Sequence, residues 1–91
     1  MKGDVVVDMG AVPYIIKGAN IMAPGVVGAD PQIKKDDVVF VREETHGKYI
    51  ALGEALVDGS EMIGKVEGEV VRKGRVVKTI HSVGDDIWSL M

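Results

Sequence analysis

The residues of this chain able to act as acids, bases or metal ligands are poorly spaced to work together. Its two histidines, His46 and His81, lie far apart in a chain without cysteine, so the usual nitrogen and sulfur ligands of a zinc site are lacking. His46 falls in a loop beside charged residues and reads as a solvated surface group. His81 has Ile80 and Val83 near it and reads as a packed strand residue whose nitrogens find backbone partners. The adjacent carboxylates Asp36-Asp37 and Asp85-Asp86 point apart on a strand or extended turn, whereas acid–base catalysis needs converging groups in unlike environments. They read as turn and cap residues. Ser60 has no obvious base partner and reads as a helix cap. The expectation is no enzyme, no metal and no cofactor.

Binding is better represented than catalysis. Gly18-Ala19-Asn20-Ile21-Met22-Ala23-Pro24-Gly25-Val26-Val27 sets two glycines and a proline around bulky apolar residues. Gly18 can end a helix in the left-handed conformation, and Pro24-Gly25 is expected to force a turn, with Gly25 also in an unusual backbone state. Backbone that tight and bare lets another polymer approach closely. Arg72, Lys73, Arg75 and Lys78 then fall within a short stretch that contains no acid. This is either a solvated hairpin tip that protects an edge or a positive stripe for phosphates.

The elements that must position these residues follow from periodicity. Asp4 to Val7 is a short strand leading to a helix near Gly10, with Val12, Ile15 and Ile16 on one apolar face. Pro13 is tolerated in its first turn, and Tyr14 and Lys17 lie off that face. Val26 and Val27 start a strand that Ala29-Asp30-Pro31 turns. Asp37 to Val41 and Lys48 to Val57 are strands joined by the polar loop Glu43 to Gly47, hinged at Gly47. Asp58 or Ser60 caps a helical turn through Met62 and Ile63. Strands over Glu67 to Arg72 and Arg75 to Val83 flank Lys73-Gly74 as a two-residue hairpin turn. Asp85 to Leu90 closes the chain with Trp88 as its only large anchor. Short strands at this spacing with one helix near the start predict a small closed or half-closed barrel.

The 91 residues make one small domain, and a net charge of −3 opposes an all-over basic nucleic-acid binder, so binding to RNA requires a local patch. The apolar runs fall far short of a membrane span of about 20 residues. An acidic residue at Asp4 stands where a secretion signal would run apolar, which together with the lack of cysteine points to the cytoplasm.

Four blocks in order then carry a resemblance to the PUA domain, the small RNA-binding pseudobarrel of pseudouridine synthases and archaeosine transglycosylases. They are Ala11 to Gly18, Asn20 to Val26, Ala29 to Val39, and Ala51 to Val57 with Ser60-Glu61-Met62. The ending Ile80 to Trp88 resembles the small archaeal PUA proteins related to the malignant-T-cell-amplified-sequence translation factors. The resemblance implies a PUA domain over 1–91, stand-alone or the C-terminal part of a longer protein. It implies a mainly β, mixed-strand pseudobarrel with two short helices. Its RNA groove would run along the first helix, the glycine-bearing loop with the next strand, and the last strand. By position this nominates Lys17, Gly18, Ala19, Asn20, Met22, Pro24, Gly25 and Val26, with Lys78 and His81, beside the basic Arg72, Lys73 and Arg75. The implied partner is structured RNA, tRNA or rRNA, bound by a monomer that a neighbouring domain or protein assists. A protein-interaction or regulatory module is the alternative.

Overall fold

Alternation of buried and half-exposed residues sets the first strand, β1 (Asp4–Val7), which turns Val5 and Val7 to the interior. A four-residue helix, α1 (Val12–Ile15), follows with Pro13 in its first turn and Ile15 buried, while Val12 and Ile16 pack against the core. The strands after it are β2 (Ile21–Met22), β3 (Val26–Ala29), β4 (Val38–Glu43), β5 (Tyr49–Ala55), β6 (Lys65–Val66), β7 (Glu69–Val70) and β8 (Arg75–Ser82). Single 3₁₀ turns lie at Ala23–Gly25 and Gly59–Glu61. This computed structural model describes residues 3–83 of the chain.

Six strands form one sheet in the order β2-β8-β5-β4-β1-β3, with β1 parallel to β4 and every other pair antiparallel. Its two edge strands, β2 and β3, are consecutive in the chain and joined only by the 3₁₀ turn Ala23–Gly25. The sheet must therefore curl until its edges meet, which gives a nearly closed mixed-strand pseudobarrel. The interior is aliphatic: Ile15, Ile21, Ile33, Val39, Val41 and Met62 are each 2 % exposed or less. Each contributes about 1.5–3 kcal/mol by leaving water. Gly64 shows how tightly the seam closes, since a Cβ there would lie 2.1 Å from the Ala23 carbonyl oxygen.

The mainly β pseudobarrel agrees with the sequence reading, and four details differ. The second helix is only the 3₁₀ turn Gly59–Glu61, closed by the i→i−3 bonds from the Glu61 and Met62 N–H groups to the Asp58 and Gly59 carbonyls. Neither expected residue caps it: Asp58 Oδ1 instead accepts the Lys35 N–H at 2.9 Å, and no side chain bonds the turn's start. Gly25 lies outside the left-handed region, because it belongs to the 3₁₀ turn. Finally, Lys73-Gly74 is not a hairpin turn. The hairpin there closes at Glu67-Gly68, both at positive φ (51° and 83°), and pairs β6 with β7 as a separate ribbon. The last strand pairs with β2 and β5. The expected role of Trp88 and the segment Asp85 to Leu90 lies outside the described residues.

Candidate nucleic-acid interface

Helix α1 ends in a pair of bonds that only a left-handed residue permits. Gly18, at φ +97°, donates its N–H to the Ile15 carbonyl at 2.9 Å, and Ala19 donates to Tyr14 at 3.0 Å. This is the Schellman arrangement expected of a C-terminal glycine. It turns the chain back across the last strand, which holds it at two points. The Asn20 carboxamide oxygen accepts the Thr79 N–H at 3.1 Å, and the Thr79 hydroxyl donates to the Ala19 carbonyl at 2.8 Å. Further along β8 the Ser82 hydroxyl donates to the Ile16 carbonyl at 3.0 Å, so the same strand also anchors the helix.

Between α1 and the 3₁₀ turn this arrangement leaves a groove of about 480 Å³. Ala19, Asn20, Met22, Pro24 and Gly25, all nominated from sequence, line it. Tyr14 lines it too and is 68 % exposed, while Met22 is 47 % exposed, so an aromatic ring and a thioether border an apolar hollow. Such rings are stacking platforms for unpaired bases. Asp8 and Lys65 complete the lining as an ion pair.

The remaining nominated residues divide. Lys17 is exposed at the end of α1, next to Gly18, whereas Val26 is fully buried, its carbonyl bonded to the Gly64 N–H and its own N–H to the Ala23 carbonyl, so it is a core residue and not part of the groove's lining. Arg75 is exposed and lies opposite Met22 in the β2–β8 ladder, which brings one cation beside the groove's rim. Lys78 stands opposite Glu54 and His81 opposite Leu52, on the outward face of β8. His81 is half-buried. Arg72 is separate from this set: its guanidinium donates to the Ile63 carbonyl at 3.2 Å and faces Ser60 O at 3.5 Å. Lys73 is exposed between the ribbon and β8. The four basic residues therefore do not form one stripe on one hairpin.

Sequence reasoning left Tyr14 and Lys65 out of the site. Tyr14 had a signal, its position off the helix's apolar face. Lys65 had none, since only the tertiary fold carries it to α1. Among the described residues no group of three or more His, Asp or Glu side chains is placed to hold a metal ion. No helix among them is long and apolar enough to cross a membrane.

The pattern that defines the PUA domain matches residues 3–83. The chain belongs to the PUA domain family. It is 49 % identical over 88 residues to an uncharacterized protein of Methanocaldococcus jannaschii, covering 97 % of this chain and 51 % of that protein. Translation machinery-associated protein 20 of Saccharomyces cerevisiae is 36 % identical over 89 residues, covering 91 % of this chain and 46 % of that one. The tRNA-guanine(15) transglycosylase of Pyrococcus furiosus is 37 % identical over 79 residues, 87 % of this chain but 12 % of the enzyme. A solved hypothetical protein of Pyrococcus horikoshii superposes with a TM-score of 0.85 at 48 % identity, covering 96 % of this chain and 48 % of that chain. The chain thus spans about half the length of its small relatives. PUA domains in general bind RNA, and these relatives include proteins of translation and of RNA modification.

Proposed function

We propose that this PUA domain binds structured RNA, a tRNA or ribosomal RNA, in translation or RNA modification, and carries out no reaction itself. The observation that carries the reading is Tyr14, 68 % exposed in the lining of a largely apolar groove that Met22 also lines. A ring of that exposure adds little to the core, and a base laid against it is worth about 1–3 kcal/mol. Arg75, opposite Met22 in the β2–β8 ladder, and Lys17, next to Gly18 in the chain, are exposed cations for the sugar–phosphate chain. A domain this small buries little surface, so a neighbouring domain or protein raises its affinity through effective concentration. In this reading the unit acts as a monomer in the cytoplasm, alongside the translation machinery.

The test is a titration with unfractionated tRNA at several salt concentrations. Binding should weaken steeply as salt rises, because each phosphate contact releases counterions. Tyr14→Ala should lose about 1–3 kcal/mol of binding while its thermal unfolding stays within about 0.5 kcal/mol of the unaltered protein. One observation favours a protein-interaction module instead: Val66, Val70 and Val71 are 49 %, 49 % and 60 % exposed at the β6–β7 ribbon. No tRNA binding at low salt would decide for that alternative.

A further inference from the structure

The groove beneath the Gly18 loop adjoins a second hollow of about 600 Å³, bordered by Val27, Glu44, Ile63 and Val66. Asp8 and Lys65 line both, so their ion pair forms the partition between them. The two partners are held very differently. Asp8 Oδ1 accepts the Ala11 N–H at 3.0 Å, which fixes the carboxylate at the start of α1. Lys65 Nζ bonds Asp8 Oδ2 from the end of a long flexible stem, and its strand pairs only with β7, outside the main sheet. Both side chains keep contact with water, at 30 % exposure for Lys65 and 15 % for Asp8.

We infer that Lys65 is a phosphate-contacting residue of this groove, which Asp8 holds in place until a nucleic-acid phosphate takes over the ammonium. The inference rests on the RNA reading above. Among the described residues that line the groove, Lys65 is the only cation, and every other wall except Asp8 is uncharged. Arg72, the basic residue closest to it in sequence, is already engaged by two backbone carbonyls. Exchanging a carboxylate oxygen for a phosphate oxygen replaces one charge-assisted hydrogen bond with another, and its cost is the Asp8 carboxylate left without its cation, though still in partial contact with water. Asp8 neutralises Lys65 until a ligand that also fills the groove arrives.

The experiment compares unaltered protein with Lys65→Met, Lys65→Arg and Asp8→Asn in titrations with unfractionated tRNA at several salt concentrations, with circular dichroism confirming the fold. Lys65→Met should weaken binding and reduce the slope of log K against log salt by about 0.7–0.9, the loss of one phosphate contact. Lys65→Arg should keep the slope. Asp8→Asn retains the acceptor for Ala11 but removes the competing charge, so it should tighten binding several-fold at low salt. A folded Lys65→Met with an unchanged slope, beside an unaltered protein that binds, overturns this inference alone. If Lys65→Met does not fold, Asp8→Asn decides, and equal or weaker binding overturns it. An unaltered protein that binds no tRNA at low salt overturns the RNA reading and this inference together.

Discussion

Gly18 sits at φ +97° with nothing within 4 Å of where a Cβ would stand, so a side chain there meets only backbone strain. Gly18→Val is therefore expected to cost about 1–2 kcal/mol, a melting-temperature fall of roughly 4–16 °C for a domain of this size. Gly18→Asn should cost less, since Asn tolerates the left-handed region. Thermal unfolding of the two variants checks this, and equal stability of both with the unaltered protein would remove the glycine's special role. A second residue-scale effect belongs to Glu43, which is 4 % exposed and points into its own loop. Burial alone would raise its carboxyl. The backbone N–H groups of His46 and Gly47 (2.7 Å for Gly47), together with the His46 ring, hold it below the usual range instead. Its contribution is thus present above the unfolded pKa of about 4.3 and lost as pH falls through the lower folded value. Glu43→Gln should be less stable than the unaltered protein at pH 7, with the gap narrowing below about pH 4. Urea midpoints across that range would show it. A gap that widens towards acid would contradict the assignment.

At the scale of elements, the Glu67-Gly68 turn decides what the basic residues can do. It closes the β6–β7 ribbon, so Arg72 falls beyond the ribbon and reaches back to the carbonyls of Ile63 and Ser60. Arg75 falls at the head of β8 opposite Met22. Their substitutions should separate accordingly. Arg75→Ala is expected to reduce the salt slope of tRNA binding by about 0.7–0.9 with little change in stability. Arg72→Ala should leave the slope alone and lower stability by up to about 1 kcal/mol, the net worth of a part-exposed hydrogen bond. Slopes and melting temperatures measured on the two proteins distinguish these outcomes, and a reversed pattern would return Arg72 to the interface.

The whole molecule depends on bringing β2 and β3 together around one 3₁₀ turn. Gly64 packs against that turn, its N–H donating to the Val26 carbonyl at 3.2 Å and its Cα facing Ala23. A Cβ at 2.1 Å from a backbone oxygen leaves no flexible atom to move aside. Gly64→Ala is expected to destabilise by more than about 3 kcal/mol, the upper end of ordinary overpacking. Gly25→Ala, whose Cβ would meet the Ala11 Cβ at 3.1 Å, should cost far less. Denaturant unfolding of the pair tests whether the seam, rather than glycine content, limits the fold.

Much of this was legible in the sequence because it is local. The short strand over Asp4 to Val7, Pro13 in the first turn of α1, Gly18 after its end and the polar hinge at Gly47 each depend on a few adjacent residues, and all are found. The ordered motif blocks then determined the family. What local pattern could not supply is the partner each segment meets. Glu67-Gly68 lacks the usual Asn-Gly or Asp-Gly signal for its turn, so nothing local marks the β6–β7 ribbon, and the basic residues that follow read as part of one hairpin. Asp58 could cap its own turn or bond Lys35, and only the fold places Lys35 within reach. Lys65 and Asp8, distant in sequence, meet because the closing sheet sets β6 beside β3 and the 3₁₀ turn Ala23–Gly25, from which the Lys65 side chain reaches Asp8. Such contacts are fixed by packing of the whole barrel, where the gain in burial outweighs any preference a single segment carries.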